Sequence, residues 1–172
     1  VERRVKPQRL KDKREVYRRR WWQYGERRVR LYPAVRQTPE TLALSCVSPN
    51  LSIGSIATVS VFANTLTVIA FDKRAPFAIL QSRLHEIWAR FFSSTLEDRL
   101  RYAPTDCFET FPFPSGYETD PALEAAGQAY HDHRAALMID HDEGMTTTYN
   151  RFHDVGEKSA AIATLRTLHA EM

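Results

Sequence analysis

The run PFAILQSRLHEIWARFF, residues 76–92, decides the fold. Phe77, Leu80, Leu84, Ile87, Trp88 and Phe91 recur at three- and four-residue intervals, which puts all six on one face of an α-helix. So apolar a face needs a cover, and the residues before it supply one. Segments 41–48, 51–61 and 65–71 are rich in Val, Ile, Thr and Leu and read as strands. Pro49-Asn50 and Ala63-Asn64 mark the turns between them, and Gly54 marks a bend. The expectation is an antiparallel meander with the helix laid across it.

Outward from this centre the chain changes character twice. Residues 94–117 are irregular, because Pro104, Pro112 and Pro114 alternate with Phe108, Phe111 and Phe113 to give an extended segment whose rings plug a surface. Asp120 then caps a helix with Pro121 in its first position, running to about Ile139 with Leu123, Ala126, Tyr130 and Leu137 inward. Two more helices are expected at about 143–152 and 159–172. On the other side, residues 7–24 read as a basic helix that starts after Pro7 and ends at Gly25, with a helical turn near 29–35. The expected fold is α+β: a small antiparallel sheet packed on a long amphipathic helix, followed by a helical tail. The Pro-rich segment divides it into residues 1–114 and 115–172.

Charge is distributed unevenly along this plan. Residues 1–36 hold fourteen Lys and Arg against four Asp and Glu, a net +10, while the rest of the chain is net −7 and the whole only +3. A basic segment of this kind suits a polyanion, because each phosphate neutralised releases counterions. The same charge also suits an acidic protein partner. The aromatic interleaving in Arg18-Arg19-Arg20-Trp21-Trp22-Gln23-Tyr24 is compatible with rings against sugars or bases, and equally with rings anchoring a core.

Several chemistries lack their residues. His85-Glu86 begins like a zinc-protease helix, but no second His follows four residues on. His131 and His133 point to nearly opposite sides of a helix, and His141-Asp142 reads as a surface loop, so a small metal hydrolase is disfavoured. There is no Gly-rich phosphate loop, nucleophile elbow or paired-cysteine site. Cys46 and Cys107 are far apart and read as reduced thiols. The longest apolar stretch, 59–71, is interrupted by Ser60, Asn64, Thr65 and Thr67, so no membrane span or signal segment is expected and the location expected is cytoplasmic. The chain opens at Val1 inside a charged run and is expected to be a fragment of a longer protein.

Val5-Lys6-Pro7-Gln8-Arg9, Trp21-Trp22-Gln23-Tyr24-Gly25, the 80–91 helix and the run from Leu100 to Pro114 occur in that order. With Thr148-Tyr149-Asn150-Arg151-Phe152-His153-Asp154 and Leu165-Arg166-Thr167-Leu168-His169 in the tail, they resemble the target-recognition domain and C-terminal helices of MmeI-like restriction-modification methyltransferases, types IIG and IIL. The Phe-Pro-Phe-Pro exit, residues 111–114, is also similar to the ends of recognition domains in type I specificity subunits. The resemblance implies a parent polypeptide with a nuclease, an adenine-N6 methyltransferase and a recognition domain. The Asn-Pro-Pro-Tyr signature, the S-adenosylmethionine-binding Gly motif and the nuclease Asp…Glu-x-Lys motif are not in this chain. S-adenosylmethionine and Mg would therefore be cofactors of the parent protein, with none held by this chain. Where the family usually carries basic and polar residues on the second strand, Asn50 to Thr58 has no charge; the resemblance implies that this region differs among members with different targets, so the target sequence is not transferable.

The expectations that follow are specific. Lys13, Arg18, Arg19, Arg20, Arg27 and Arg28 should meet phosphates and set the register, while Asn50, Ser52, Ser55 and Thr58 should face base edges in the major groove. The partners expected are double-stranded DNA and the methyltransferase domain of the same polypeptide, which would flip and methylate the target adenine. The competing expectation is a scaffold module that docks an acidic partner through the basic helix.

Overall fold

The computed structural model describes residues 2–23, 28–93 and 99–172. The chain divides into two compact units, residues 1–34 and 35–172.

In the first unit, α1 (Glu2–Leu10) and α2 (Glu15–Arg19) stand where a single helix was expected from residue 7 onward, and its expected end at Tyr24 and Gly25 lies outside the described residues. α1 runs through Pro7 instead of starting at it. The break falls at residues 11–14, where the Asp12 carboxylate accepts from the Arg14 backbone N–H at 2.9 Å and turns the chain locally. Arg18 Nη1 then donates to the carbonyls of Asp12 and Lys13 at 2.8 and 2.9 Å, closing the turn. Neither helix buries a residue. Cation–aromatic stacking organises the unit: the Arg9 and Arg14 guanidiniums sit 4.4 and 3.8 Å from the Tyr17 ring, and Lys6 Nζ lies 5.2 Å from the Trp21 ring. The interleaving of rings and bases seen in the sequence is thus used, at least in part, within the unit.

α3 (Leu31–Val35) ends at the first residue of the second unit, which is an α+β body. Strands β1 (Glu40–Ser45), β3 (Gly54–Ala57) and β4 (Leu66–Ile69) form an antiparallel sheet in the order β3-β1-β4. A second, two-stranded sheet pairs β2 (Val47–Ser48) with β5 (Leu100–Arg101). The larger sheet is not the expected meander, which would put β3 in the middle. β1 is central because Thr41, Leu42, Ala43 and Leu44 are all buried, and so continuous a buried run suits an inner strand.

The helix expected over 76–92 is two helices, α4 (Arg74–Gln81) and α5 (Arg83–Phe92). Ser82 separates them in an extended conformation, and its hydroxyl accepts the His85 N–H at 3.3 Å as an N-cap. That residue resets the helical phase. Phe77 and Leu80 stay in the core, but Leu84, Ile87 and Phe91 turn outward and are 74, 55 and 80% exposed. α5 buries His85 and Ala89 instead. The expected packing of the whole stripe on the sheet holds only for its first half.

The tail follows its local signals. Asp120 Oδ1 accepts from Ala122 and Leu123 N–H groups, and α7 (Pro121–Asp140) follows with Tyr130 and Leu137 inside. α8 (Met145–His153) and α9 (Ala160–Ala170) complete it, after the short α6 (Pro104–Cys107) and a 3-10 turn at Tyr117–Thr119 earlier in the chain. Packing is continuous across residue 114. Leu42, Ile53 and Phe77 share one cluster with Tyr130 of α7 and Leu165 of α9. At the crossing of α4 and α7 the helices nearly touch, since a Cβ on Gly127 would stand 2.3 Å from the Arg74 carbonyl oxygen.

Candidate nucleic-acid interface

The stretch from Val47 to Thr58 has few strand partners of its own and is held by other elements. Gln81, buried at the end of α4, donates from Nε2 to Leu51 O at 3.1 Å and accepts the Ile53 N–H at 2.8 Å. The Gln81 amide therefore does the work of a neighbouring strand. This is why β3 begins only at Gly54, although the sequence reads as strand from Leu51. His169 of α9 fixes the same corner through its Nε2 contact with Gln81 O at 3.0 Å. One turn earlier, Arg90 of α5 donates to Pro49 O at 2.9 Å, and Ser48 Oγ accepts the Asn50 N–H. The backbone of this uncharged stretch is thereby set by α4, α5 and the tail, with Leu51 and Ile53 buried and Ser52 between them half-buried.

The four residues expected to meet bases stand in different places. Asn50 is half-buried, and its Nδ2 donates to Asn150 Oδ1 of α8 at 3.1 Å. Ser52 is half-buried on the same stretch. Ser55 accepts from Arg74 Nη1 at 2.8 Å, and the same guanidinium pairs with Glu40 at 2.8 Å. Thr58 lies inside, 5% exposed, with its hydroxyl donating to Thr38 O at 2.7 Å. Asn50 and Ser52 keep part of their surface in solvent, whereas Thr58 spends its hydroxyl on holding the start of β1.

The expected phosphate contacts also separate. Lys13 and Arg20 are exposed, and among the described residues their side chains have no partner. Arg19 is exposed beside Glu15 at 3.5 Å, a pairing that solvent screens. Arg18 is exposed; its Nη1 donates to the two carbonyls that close the α1–α2 turn, which leaves its Nε and Nη2 hydrogens over. Arg28 is exposed, in a left-handed conformation with φ 47°. Arg27 lies outside the described residues.

The sequence reading missed Gln81, Arg90 and Asn150. Gln81 could have been noticed as a lone amide inside an apolar helix, since a buried amide must find partners. Asn150 sits in the tail segment that the resemblance singled out, but nothing local announces a partner one hundred residues away.

Among the described residues the histidines are not gathered into a metal-ligand cluster. His85 is fully buried between α5 and the 100–111 segment, with Nε2 2.9 Å from the Tyr102 hydroxyl and its ring against Phe111. Burial pushes its pKa down to about 4 and raises that of Tyr102, so both are neutral near pH 7. His133 meets a backbone carbonyl, and among the described residues no group of three or more His, Cys, Asp or Glu is placed to hold an ion. Cys46 and Cys107 are free thiols. Among the described residues, no helix is long and apolar enough to cross a membrane.

No curated protein and no solved structure matches the chain. A family model does match, and it spans both the basic unit and the 47–58 stretch. That family comprises the DNA-sequence-recognition modules of restriction-modification enzymes. With residues 4–115 matching the model of the MmeI target recognition domain, the chain belongs to that family.

Proposed function

We propose that this chain reads duplex DNA sequence for an adenine-N6 methyltransferase of a restriction-modification system, and presents the target to catalytic domains of the same polypeptide. The observation that carries the reading is the family match over residues 4–115, which joins the basic segment to the polar, uncharged stretch in one module. Lys13, Arg19, Arg20 and Arg28 supply exposed positive charge for phosphates and so fix the register without reading sequence. Asn50 and Ser52 supply hydrogen-bonding groups for base edges. Ser55, whose oxygen accepts from Arg74, keeps its hydroxyl hydrogen to donate to a base. The helices from Pro121 onward brace the stretch from behind, through His169 on Gln81 and Asn150 on Asn50. The exposed apolar side of α5 is the surface on which this reading places the methyltransferase domain. S-adenosylmethionine belongs to that domain, and Mg to any nuclease joined to it.

An electrophoretic mobility shift tests the reading against a scaffold that binds acidic proteins. Duplex DNA at low salt should shift the chain, and a poly-glutamate competitor at equal charge should not displace it. Displacement by poly-glutamate as readily as by unlabelled duplex would favour the scaffold.

A further inference from the structure

Within residues 148–154 most side chains hold the tail to itself. Thr148 donates to Glu143 at 3.2 Å, Tyr149 meets Tyr130 and Arg134 at 2.8 and 2.9 Å, and Arg151 bridges Glu143 and Glu157. Asp154 accepts from the Gly156 N–H at 2.8 Å, and Phe152 packs on the core. Asn150 does none of this. Its side chain leaves the tail and accepts a hydrogen from Asn50 Nδ2 at 3.1 Å.

We propose that Asn150 is a positioning residue for base readout: it holds the Asn50 amide in the one orientation that meets a base edge. The proposal rests on the function given above. An asparagine reads adenine through two bonds at once, Oδ1 accepting from N6 and Nδ2 donating to N7. That pair forms only if the amide plane is set and its oxygen and nitrogen are not exchanged. Around Asn50 the backbone is already fixed, by Ser48 Oγ on its own N–H, Arg90 on Pro49 O and Gln81 on Leu51 O. The Asn50 side chain lies with its nitrogen towards the Asn150 oxygen on α8, and an acceptor in that place disfavours exchange of the Asn50 oxygen and nitrogen. One Nδ2 hydrogen goes to Asn150; the other, and Oδ1, are left for a base. A neutral hydrogen bond this exposed adds little to folding, so orientation is what it can supply. The C-terminal tail then takes part in specificity, and a transplant of residues 50–58 alone into a relative would leave its reader unaligned.

The test uses the chain as it is, incubated with a duplex library whose central base pairs are randomised, and sequences the bound fraction. Wild type should enrich a motif. Asn50→Ala should erase the preference at one position, a loss of roughly tenfold or more. Asn150→Ala should weaken the preference at that same position by roughly 2- to 10-fold, the cost of ordering one side chain on binding, with an unchanged unfolding midpoint. Asn150→Asp keeps the acceptor and should restore the preference, while its negative charge lowers affinity for every sequence alike. Full preference in Asn150→Ala at the position erased by Asn50→Ala would overturn the proposal, as would an Asp variant no better than Ala. A wild-type motif that Asn50→Ala leaves intact would remove Asn50 and Asn150 from readout while DNA reading stands. No motif at all in the wild type would remove the parent reading as well.

Discussion

Gly127→Ala tests the packing that ties the tail to the sheet-bearing core. In an isolated helix this change stabilises by about 1 kcal/mol, because Gly loses more backbone freedom than Ala on folding. Here the added methyl would stand 2.3 Å from the Arg74 carbonyl oxygen, 3.0 Å from its carbon and 3.2 Å from Ala78 Cβ. The nearest obstacles are backbone, so no side-chain rotation relieves them. The first turn of α4 is also pinned, as Ala75 N–H donates to Glu124 of α7 at 2.7 Å. α4 and α7 must therefore separate by roughly 1 Å to regain ordinary contact distances. That loosens Phe77 against Tyr130, whose ring centroids are 6.1 Å apart. Overpacking of this severity costs about 3 kcal/mol, the upper end of the usual range. Net of propensity, Gly127→Ala should lose about 2 kcal/mol, a drop of about 4–8 °C in Tm for a chain of this size. Urea and thermal unfolding followed by tryptophan fluorescence and circular dichroism measure it. A variant as stable as wild type, or more so, would refute the close crossing and with it the single core shared by sheet and tail.

His85 should make stability pH-dependent. Its pKa is pushed down to about 4 in the folded chain, against about 6.5 unfolded. Above pH 6.5 it contributes no slope; as pH falls from 6.5 to 4 the unfolded chain takes up the proton first and stability drops, by about 3 kcal/mol in all. Urea midpoints at pH 7 and pH 4.5 should therefore converge more closely in His85→Gln than in wild type, and an identical pH dependence in both would remove His85 as the cause. Phe77→Ala should cost about 3–5 kcal/mol, whereas Phe91→Ser should cost under about 1 kcal/mol, because Phe77 is buried and Phe91 is 80% exposed; equal losses in urea unfolding would restore the single-stripe helix. Lys13→Ala and Arg20→Ala should each reduce the salt dependence of duplex binding by about one unit of slope without changing base preference, as titrations at several ionic strengths would read out. A shift in the preferred motif instead would make them readers rather than phosphate contacts.

How much of this was legible depended on how local each cause is. Asp120-Pro121 starts α7 as the sequence says, because a cap and its helix lie within four residues. The α+β class was legible too, since Val- and Ile-rich runs and a helical stripe differ in period. Ser82 was not: the apolar spacing runs on through it, and only the capped turn at His85 shows that the phase changes. The central place of β1 depends on pairing across the sheet, which hydrophobic pattern alone does not order. At the candidate interface, charge in the first 36 residues was plain, but charge does not separate Arg18, whose Nη1 holds the Asp12 and Lys13 carbonyls, from Arg20, whose side chain has no partner among the described residues. Ser and Thr in a strand look alike in sequence, and yet Thr58 is inside while Ser52 is half-buried, because only the fold decides which hydroxyl finds a carbonyl.

The most direct measurement is equilibrium binding of the chain to labelled duplex DNA over a range of salt concentrations. With exposed Lys and Arg against phosphates, log K should fall linearly with log salt, with a slope of roughly −2 to −5. No binding at low salt, or binding whose slope is close to zero, would contradict it.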